Sequence, residues 1–335
     1  MQSRDGARPH NFRRMTIRQT PDAAPPGAVR AVAPGGVGNM GPGLDILGCA
    51  ISGLGDEVIA WRSDRPGVAL ADPGHPELPA DPESHASAIA AGALLARSGR
   101  VDFGVTLRLV KRLPLAGGQG GSAASAVAGA AAANALLETP LGAEAIIEAA
   151  FVAESRLAGR HLDNIAPCVL GGIVLVRAME PPDLVSLPVP AGLRFALALP
   201  AMRLRTSDAR AALPAQVDRA TALHQAAQVA AIVAACASGD LALLGRAIDD
   251  RIAEPARAPL LPGFRAAKRA ALDAGALGCS ISGAGPTSFA VASDEASAAR
   301  IADAMRQAYE RAGIACTTRV AAVDEAGVQV RPVTP

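Results

Sequence analysis

A glycine-dense loop that runs straight into an alanine-rich helix constrains the fold of this chain more than any other stretch. Residues 114–125 read Pro-Leu-Ala-Gly-Gly-Gln-Gly-Gly-Ser-Ala-Ala-Ser, and alanine dominates up to Leu137. Glycines remove side chains where backbone amides can approach an anion, and the free N–H groups of a helix N-terminus point the same way. The stretch is interpreted as a phosphate cradle, although a glycine-rich turn that only connects two elements has the same local composition.

Two widespread phosphate-binding motifs fit this loop poorly. A Walker A loop needs a lysine before its serine or threonine, whereas here Gly121 directly precedes Ser122. The dinucleotide fingerprint matches formally at residues 118–123, but the acidic residue at the right distance, Glu138, follows a helix instead of ending a second strand. The loop therefore favours another class of nucleotide-binding protein.

Composition and charge exclude several classes of protein. Half of the 335 residues are apolar, so the chain is long enough for one large or two medium domains with sizeable cores. The 32 basic and 31 acidic residues nearly balance, which argues against binding nucleic acid or a membrane surface through bulk electrostatics. With six phenylalanines, one tyrosine and one tryptophan, a base-stacking platform is not expected either. We therefore expect no nucleic acid and no membrane among the partners.

The cysteines and the N-terminal residues indicate the cellular compartment. The five cysteines are scattered and form no Cys-x-x-Cys pair, which is typical of reduced thiols in a cytoplasmic protein and predicts neither a disulfide framework nor a zinc site. We see no apolar run of membrane-spanning length. Residues 1–27 lack the apolar core of a secretory signal and are expected to form a disordered lead-in, which could precede a true start at Met15; a transit peptide is the alternative.

The order of strands and helices predicts an α+β protein with two layers. Strands are expected at Val29–Ala33, Asp56–Arg62, Val68–Ala71, Phe103–Val110 and Leu193–Leu199, and the second and third of these are expected to form a hairpin. Helices are expected at Ser84–Arg97, Ser122–Leu137 and Gly142–Ala158, and loops at 34–45, 178–192 and 254–262. Because strands and helices alternate irregularly, antiparallel or mixed sheets with a cleft between the two halves are predicted.

Three polar side chains stand out in apolar or glycine-rich surroundings. Glu154 falls on the helix face marked by Ile147 and Phe151, where a carboxylate needs a partner. A salt bridge to an arginine and a magnesium site are both open for Glu154. Asn39 and Asp45 lie in a second glycine-dense loop, where they are either turn and cap residues or ligand contacts.

Several blocks along the chain resemble the GHMP kinases, and within them the homoserine kinase family. Gly-Pro-Gly-Leu-Asp at 41–45 and Pro-x-x-x-Gly-x-Gly-x-Ser-Ala-Ala from Pro114 indicate the superfamily. The blocks at 161–172 (His-Leu-Asp-Asn-Ile-Ala-Pro-Cys-Val-Leu-Gly-Gly), 206–214 and 252–264 indicate the homoserine kinases. Ile-Ser-Gly-Ala-Gly-Pro-Thr at 281–287 completes the resemblance, which extends from about Val29 to Ala292.

This resemblance implies a fold, a reaction and a set of partners. The fold is the two-domain GHMP kinase fold, with a ribosomal protein S5 domain 2-like, nucleotide-binding domain at 28–185 and a ferredoxin-like α/β-plait domain at 190–331. The reaction is the phosphorylation of L-homoserine by ATP with Mg²⁺, giving O-phospho-L-homoserine in threonine biosynthesis. A homodimer is the assembly that the resemblance suggests.

The resemblance also implies roles for individual residues. The ATP phosphates would be wrapped by Lys111, Pro114, Gly117, Gly118, Gln119, Gly120, Gly121, Ser122 and Ala123, and Ser122 and Glu154 would hold Mg²⁺. The substrate would contact Asn39, Asp45, Asn164, Arg210, Arg257 and Gly283, with Asp45 taking the ammonium group and the two arginines the carboxylate. Asn164, Arg210, His161 and Thr206 are expected near the transferred group.

The general base is left open between two alternatives, and the loop departs from the family pattern. We expect direct attack by the substrate hydroxyl, with its proton passing to phosphate, and an aspartate base at Asp163 is the alternative. The loop departs from the family pattern Gly-Leu-Gly-Ser-Ser-Ala, because Gln119 replaces leucine and Gly121 replaces serine. A GHMP kinase of the mevalonate or shikimate type and a non-catalytic, kinase-like binding protein are the alternative functions.

Overall fold

The computed structural model describes residues 24–99 and 102–334. The strands are β1 (Val29–Gly38), β2 (Leu47–Ser63), β3 (Gly67–Asp72), β4 (Gly104–Val110), β5 (Ile173–Met179), β6 (Pro182–Leu187), β7 (Arg194–Pro200), β8 (Gly278–Ile281), β9 (Ser288–Ala292), β10 (Cys316–Ala322) and β11 (Gln329–Pro332). The helices are α1 (Ala86–Arg97), α2 (Gly121–Ala135), α3 (Ala143–Leu157), α4 (Ile165–Leu170), α5 (Thr206–Ala211), α6 (Arg219–Ser238), α7 (Leu241–Arg246), α8 (Ala253–Arg257), α9 (Phe264–Asp273) and α10 (Glu295–Arg311). Of the lead-in expected over 1–27, residues 1–23 lie outside the described part.

The first half of the chain builds a seven-stranded sheet covered by helices. Its strand order is β11-β1-β2-β4-β3, and β5 pairs with both β2 and β6. Strand β2 is long enough to pair with β5 through its first residues and with β4 through its last. Helices α1, α2 and α3 cover the sheet, since Leu94, Val127 and Phe151 share one core with Val58 and Leu107.

Helix α2 lies at the centre of this layer. Every residue from Ala123 to Asn134 is buried, because alanine side chains let α1 and the sheet approach closely. The approach is tightest at Gly129, where a Cβ atom would lie 2.2 Å from the carbonyl oxygen of Ser87 in α1. The position of the α2 N-terminus is therefore set by packing along the whole helix.

The second half builds a four-stranded antiparallel sheet in the order β10-β7-β9-β8. One face packs against α9 and α10 around Met305 and Tyr309. The other face shares a core with the first half, in which Phe195 and Phe289 meet Leu47 of β2.

The predicted α+β class with antiparallel and mixed sheets is thus confirmed. The boundaries at 28–185 and 190–331 stay predictions, and β11 returns from the chain end to pair with β1 in the first sheet.

The predicted hairpin of Asp56–Arg62 with Val68–Ala71 is wrong. Strand β3 pairs in parallel with β4, from Gly67 opposite Gly104 onward. The reason is that β2 already has a neighbour on each side over these residues, with β1 on one side and β4 on the other. The chain after β2 must therefore cross to the far side of β4.

Three segments predicted as loops contain regular structure. The glycines at 35, 36 and 38 belong to β1, which stays paired with β2 up to Gly38. The segment 178–192 contains β6, which forms a hairpin with β5. The segment 254–262 contains most of α8 and a short 3-10 helix at Ala258–Leu260. In each case, pairing or packing with residues distant in sequence outweighs the local turn signals.

Helix α6 bears on the membrane expectation. It has 20 residues and is apolar enough to cross a membrane by length and composition alone, so the expectation that no run reaches this length is wrong. Alanine supplies much of its apolar character, and Ile232, Ala235 and Cys236 contribute to the core between the halves. A single such helix is weak evidence for a membrane span.

Candidate active site

A cleft of about 380 Å³ lies at the N-terminus of α2, between the two halves. The sequence-predicted residues that line it are Asn39, Asp45, Lys111, Pro114, Gly117, Gly118, Gly120, Gly121, Ser122, Ala123, Glu154, His161, Asn164, Thr206, Arg210, Arg257 and Gly283. Gln119 is the exception, because its side chain is buried behind the loop. Residues far apart in the sequence are thus brought to one place.

The glycine loop presents its amides to this cleft. Gly118 and Gly120 adopt positive φ angles of 74° and 69°, which L side chains rarely adopt. A Cβ atom at Gly118 would also lie 2.6 Å from the carbonyl oxygen of Ser282. The backbone N–H groups of residues 117–123 have no acceptor within the described ranges. Together with the α2 N-terminus, these donors form an anion-binding end of the cleft.

Lys111 is fully engaged behind the loop. Its ammonium group donates to Asp56 Oδ2 at 2.5 Å, to the carbonyl of Gly121 at 2.7 Å and to Ser125 Oγ at 3.1 Å. Asp56 is fully buried and also accepts from the backbone N–H of Leu113 at 3.0 Å. The charge that the sequence assigns to the phosphates is therefore paired inside the protein, where it fixes the first turn of α2. Asp56 and Ser125 were not found from the sequence, since neither stands out in its local pattern.

Glu154 projects from α3 toward the start of α2. The hydroxyl of Ser122 donates to Glu154 Oε1, and the glutamate is 2% exposed. Burial raises the pKa of the Glu154 carboxyl. The predicted alternative of an arginine partner is not realised, because the charged group near Glu154 is His161, at 3.9 Å from Nε2 to Oε2.

His161 and Asp163 form the floor of the cleft. His161 Nδ1 lies 3.1 Å from Asp163 Oδ1, and its buried Nε2 has no hydrogen-bond partner in the described structure. Burial lowers the pKa of His161, but Asp163 and Glu154 outweigh it and the net pKa is raised. The other oxygen of Asp163 accepts from the backbone N–H of Asn39 at 3.1 Å. Both carboxylate oxygens of Asp163 are therefore occupied.

Asn39 ties the two glycine-rich segments together. Its backbone is left-handed (φ 66°), its Nδ2 donates to the carbonyl of Gly283 at 3.2 Å, and its Oδ1 accepts from the N–H of Asp45 at 3.1 Å. The side chain of Asn164 lies against the glycine loop, since a Cβ atom at Gly120 would be 3.0 Å from Asn164 Oδ1. The loop glycines thus leave room for the Asn164 amide to reach the cleft.

A charged pair also lines the cleft. Arg210 donates to both oxygens of Asp45, from Nη2 at 2.8 Å and from Nη1 at 3.1 Å. Thr206 precedes Arg210 by one helical turn on α5, so both side chains face the same way. Arg257 is 3% exposed and donates to the carbonyls of Ala209 and Gly283. Burial lowers the pKa of Arg257, and Asp45 partly opposes this shift.

Comparison with known proteins places the chain in a family. The model of the N terminal domain of GHMP kinases matches residues 85–172, and that of the GHMP kinase C terminal region matches residues 232–311. A homoserine kinase from Chlorobium phaeobacteroides is 42% identical over 293 residues, which are 84% of this chain and 92% of that protein. The chain belongs to the homoserine kinase family of the GHMP kinases. A homoserine kinase from Arabidopsis thaliana is 40% identical over 294 residues, which are 85% of this chain and 80% of that one.

Solved structures agree with this membership in the homoserine kinase family. The homoserine kinase of Cytophaga hutchinsonii has a TM-score of 0.87 and 38% identity, and the match covers 96% of this chain and 99% of that chain. The L. major mevalonate kinase, at 18% identity and a TM-score of 0.66, shares the fold. The predicted two-domain GHMP kinase fold and the resemblance to homoserine kinases are confirmed.

The departures from the family loop pattern have local structural reasons. A Cβ atom at Gly121 would lie 3.0 Å from Lys111 Nζ, so the serine common in the family would crowd the ammonium group. Gln119 is buried and hydrogen-bonded to the second half of the chain. The cleft also continues past Leu78, Pro79 and His85, which sequence reasoning missed because the excursion around them has the composition of a surface loop.

Proposed function

We propose that this chain transfers the γ-phosphoryl group of ATP to the side-chain hydroxyl of L-homoserine, giving ADP and O-phospho-L-homoserine in threonine biosynthesis. One observation carries the proposal: a single cleft is lined both by an anion cradle and by the Asp45–Arg210 pair of opposite charges. A zwitterionic amino alcohol complements the pair, and a triphosphate complements the cradle.

The cradle end is suited to MgATP. The free amides of residues 117–123 would bind the phosphate oxygens, and the dipole of α2 would favour their charge. Ser122 and Glu154 offer a hydroxyl and a carboxylate oxygen beside the cradle, which is the oxygen donor set that Mg²⁺ prefers alongside phosphates. When bound, the ion would neutralise charge that develops on the transferred phosphoryl group. The apolar end past Leu78 and Pro79 would receive the base of the nucleotide.

Binding of the substrate would exchange the partners of the Asp45–Arg210 ion pair. The ammonium group of the substrate would replace Arg210 on Asp45, and the substrate carboxylate would replace Asp45 on Arg210. Arg257 has one terminal nitrogen without a protein partner in the described structure and would complete the carboxylate clamp. Because both protein charges regain a partner, a zwitterion is favoured over an alcohol that carries one charge.

The proton of the attacking hydroxyl is proposed to pass to phosphate. Asn164 would orient the hydroxyl, and the imidazole of His161, with Nε2 unpartnered, would contribute positive charge near the transferred group. His161 and the backbone amide of Asn39 both contact the Asp163 carboxylate. The role of Asp163 in the mechanism would therefore be to hold these two residues in position. If Asp163→Asn removed nearly all turnover and left homoserine binding intact, an aspartate base would replace this mechanism.

An ADP-release assay of the purified protein tests the proposal. Homoserine, threonine, mevalonate and shikimate are offered separately with MgATP, and rapid turnover is expected with homoserine alone. Turnover of mevalonate or shikimate without homoserine turnover would overturn the substrate assignment. Glu154→Ala is expected to abolish Mg²⁺-dependent ADP release, whereas a non-catalytic binding protein would have no such activity to lose.

The proposal extends to location and assembly. All five cysteines are free thiols, as expected for a cytoplasmic enzyme. A homodimer is proposed on the family resemblance, and light scattering on the purified protein measures the mass that decides it.

A further inference from the structure

Gln119 is one of the two residues at which this chain departs from its family inside the glycine loop, and its side chain faces away from the cleft. It is 4% exposed and makes two hydrogen bonds to residues of the second half. Its Oε1 accepts from Arg319 Nη2 at 2.9 Å, and its Nε2 donates to Thr287 Oγ1 at 3.2 Å. The leucine common in the family could make neither bond.

Arg319 links three parts of the molecule. It lies on β10 of the second sheet and donates from Nη1 to the carbonyl of Ser52 in β2, at 2.9 Å, as well as to Gln119. Its Nε is buried without a partner in the described structure. Burial lowers the pKa of Arg319 to about 10, which still leaves the guanidinium charged at neutral pH. Gln119 is therefore the one side chain that accepts a hydrogen bond from this cation among the described residues.

The carbonyl groups of the loop are held from both halves of the chain. Thr287 Oγ1 donates to the carbonyl of Gly117 at 2.5 Å, and Ser282 Oγ donates to the carbonyl of Gly118 at 2.7 Å. The carbonyl of Gln119 accepts from the N–H of Gly36 at 3.1 Å. With three successive carbonyls fixed on the outer side of the loop, the amides of the loop are left facing the cleft.

We propose that Gln119 and Arg319 are positioning residues for nucleotide binding, acting as a polar pair that clamps the phosphate loop to the second half. The clamp consists of Arg319, the Gln119 side chain and Thr287, which in turn holds the carbonyl of Gly117. It acts through the orientation of the loop amides and touches neither ATP nor homoserine. This inference rests on the proposed function, since it specifies how the same cradle is preorganised.

The two residues depend on each other for a physical reason. Gln119→Leu removes the side-chain acceptor from a largely desolvated guanidinium, and Arg319→Leu leaves a buried amide oxygen unpaired, so each single change leaves an unmatched polar group. The double change Gln119→Leu/Arg319→Leu removes both polar groups and puts two apolar side chains in their place. The double variant should therefore be less impaired than the two single effects predict.

The experiment measures the dissociation constant of MgADP by calorimetry for wild type, both single variants and the double variant. Each single variant is expected to weaken MgADP binding about tenfold, and the double variant to lie within about threefold of wild type. Thr287→Val keeps the shape of the side chain and removes only the hydroxyl group. It is also expected to weaken MgADP binding. In steady-state assays the KM for ATP should rise while the KM for homoserine stays within twofold, a split that a general loss of stability would not produce.

Arg62→Met is the matched control. Arg62 is an exposed arginine whose guanidinium also donates to a carbonyl, that of Leu136, but it lies away from the loop. Its loss is expected to lower the melting temperature without changing MgADP binding. Single effects that simply multiply in the double variant, or variants that resemble Arg62→Met, would overturn the clamp. MgADP binding does not require turnover, so a wild type that binds MgADP but fails to phosphorylate homoserine would refute the proposed function alone.

Discussion

At the scale of single residues, one feature of the cleft is a closed ion pair. Asp45 and Arg210 are each about one-third exposed and satisfy each other through two hydrogen bonds. An incoming ligand must offer both charges to break this pair without leaving one of them unmatched. Selection for amino acids would thus come from the protein's own ion pair as much as from the shape of the pocket.

Asp45→Asn tests this exchange. The variant keeps a hydrogen-bonding side chain but loses the charge for the ammonium group, so the KM for homoserine is expected to rise about 10- to 100-fold with little change in the KM for ATP. Steady-state kinetics with each substrate varied in turn measure both. In the wild type, 4-hydroxybutyrate and 3-aminopropan-1-ol, which carry one charge each, should react far more slowly than homoserine. Equal rates with these alcohols would contradict the exchange.

Lys111 gives a second prediction at this scale. Replacing it by methionine leaves Asp56 charged and fully buried, with its cation removed. Breaking a buried pair in this way is expected to cost about 3–5 kcal/mol of unfolding free energy. Urea denaturation measures this loss. The control is Arg177→Met, which breaks the exposed pair with Asp183 and should leave the denaturation midpoint unchanged.

At the scale of elements, α1 begins at a buried histidine that faces the cleft. His85 is 2% exposed, Ser87 Oγ lies 2.9 Å from its Nδ1, and its Nε2 lies 3.2 Å from the carbonyl of Pro73. Burial lowers the pKa of His85 below its ordinary value, and Lys111 adds to the shift. The neutral ring is therefore part of the folded structure.

The pH dependence of stability follows from this shift. Because the folded pKa lies below the unfolded one, the unfolded chain binds the proton first, and stability that is complete above the ordinary value of 6.5 declines as pH falls through it. Melting temperatures from pH 8 to pH 5 should fall more steeply for wild type than for His85→Gln. His224→Gln serves as the control. Parallel curves for wild type and His85→Gln would show that His85 does not carry the effect.

Local patterns predicted individual elements well, but they could not predict pairing. Helices α1, α2 and α3 follow from apolar spacing and alanine content, which are properties of neighbouring residues. The parallel pairing of β3 with β4 depends on which edges of β2 are still open. Strand β1, which precedes β2 in the sequence, already occupies one of these edges. The candidate site likewise combines residues that local motifs identify with residues that only long-range contacts bring there. Family blocks brought out most of the polar residues that line the cleft, whereas Asp56 and Arg319 act through contacts that no local motif records.

At the scale of the whole molecule, the cleft takes its walls from both halves. The cradle comes from α2 of the first half, and the charged end comes from α5 and α8 together with Asp45. Ligands that fill the cleft therefore bridge the two sheets. Both halves should be stabilised together when it is occupied.

Thermal unfolding with ligands measures this coupling. MgADP with homoserine is expected to raise the melting temperature of the whole chain in one transition, by an amount equivalent to about 2.7 kcal/mol for a ligand at 100 times its dissociation constant. In Glu154→Ala, the part of the increase that depends on Mg²⁺ should disappear. Stabilisation of only one of two separate transitions would indicate that the halves do not share the ligands.

The close contact at Gly129 extends the functional site deep into the core. Any side chain there would press on the backbone of Ser87, whose hydroxyl is bonded to His85 at the cleft, while the same helix carries the cradle at its N-terminus. The helix has no room to absorb this pressure, since it is buried along its length. A screen for loss-of-function alleles should therefore recover core substitutions such as Gly129→Ala whose primary defect is poor nucleotide affinity in a folded protein.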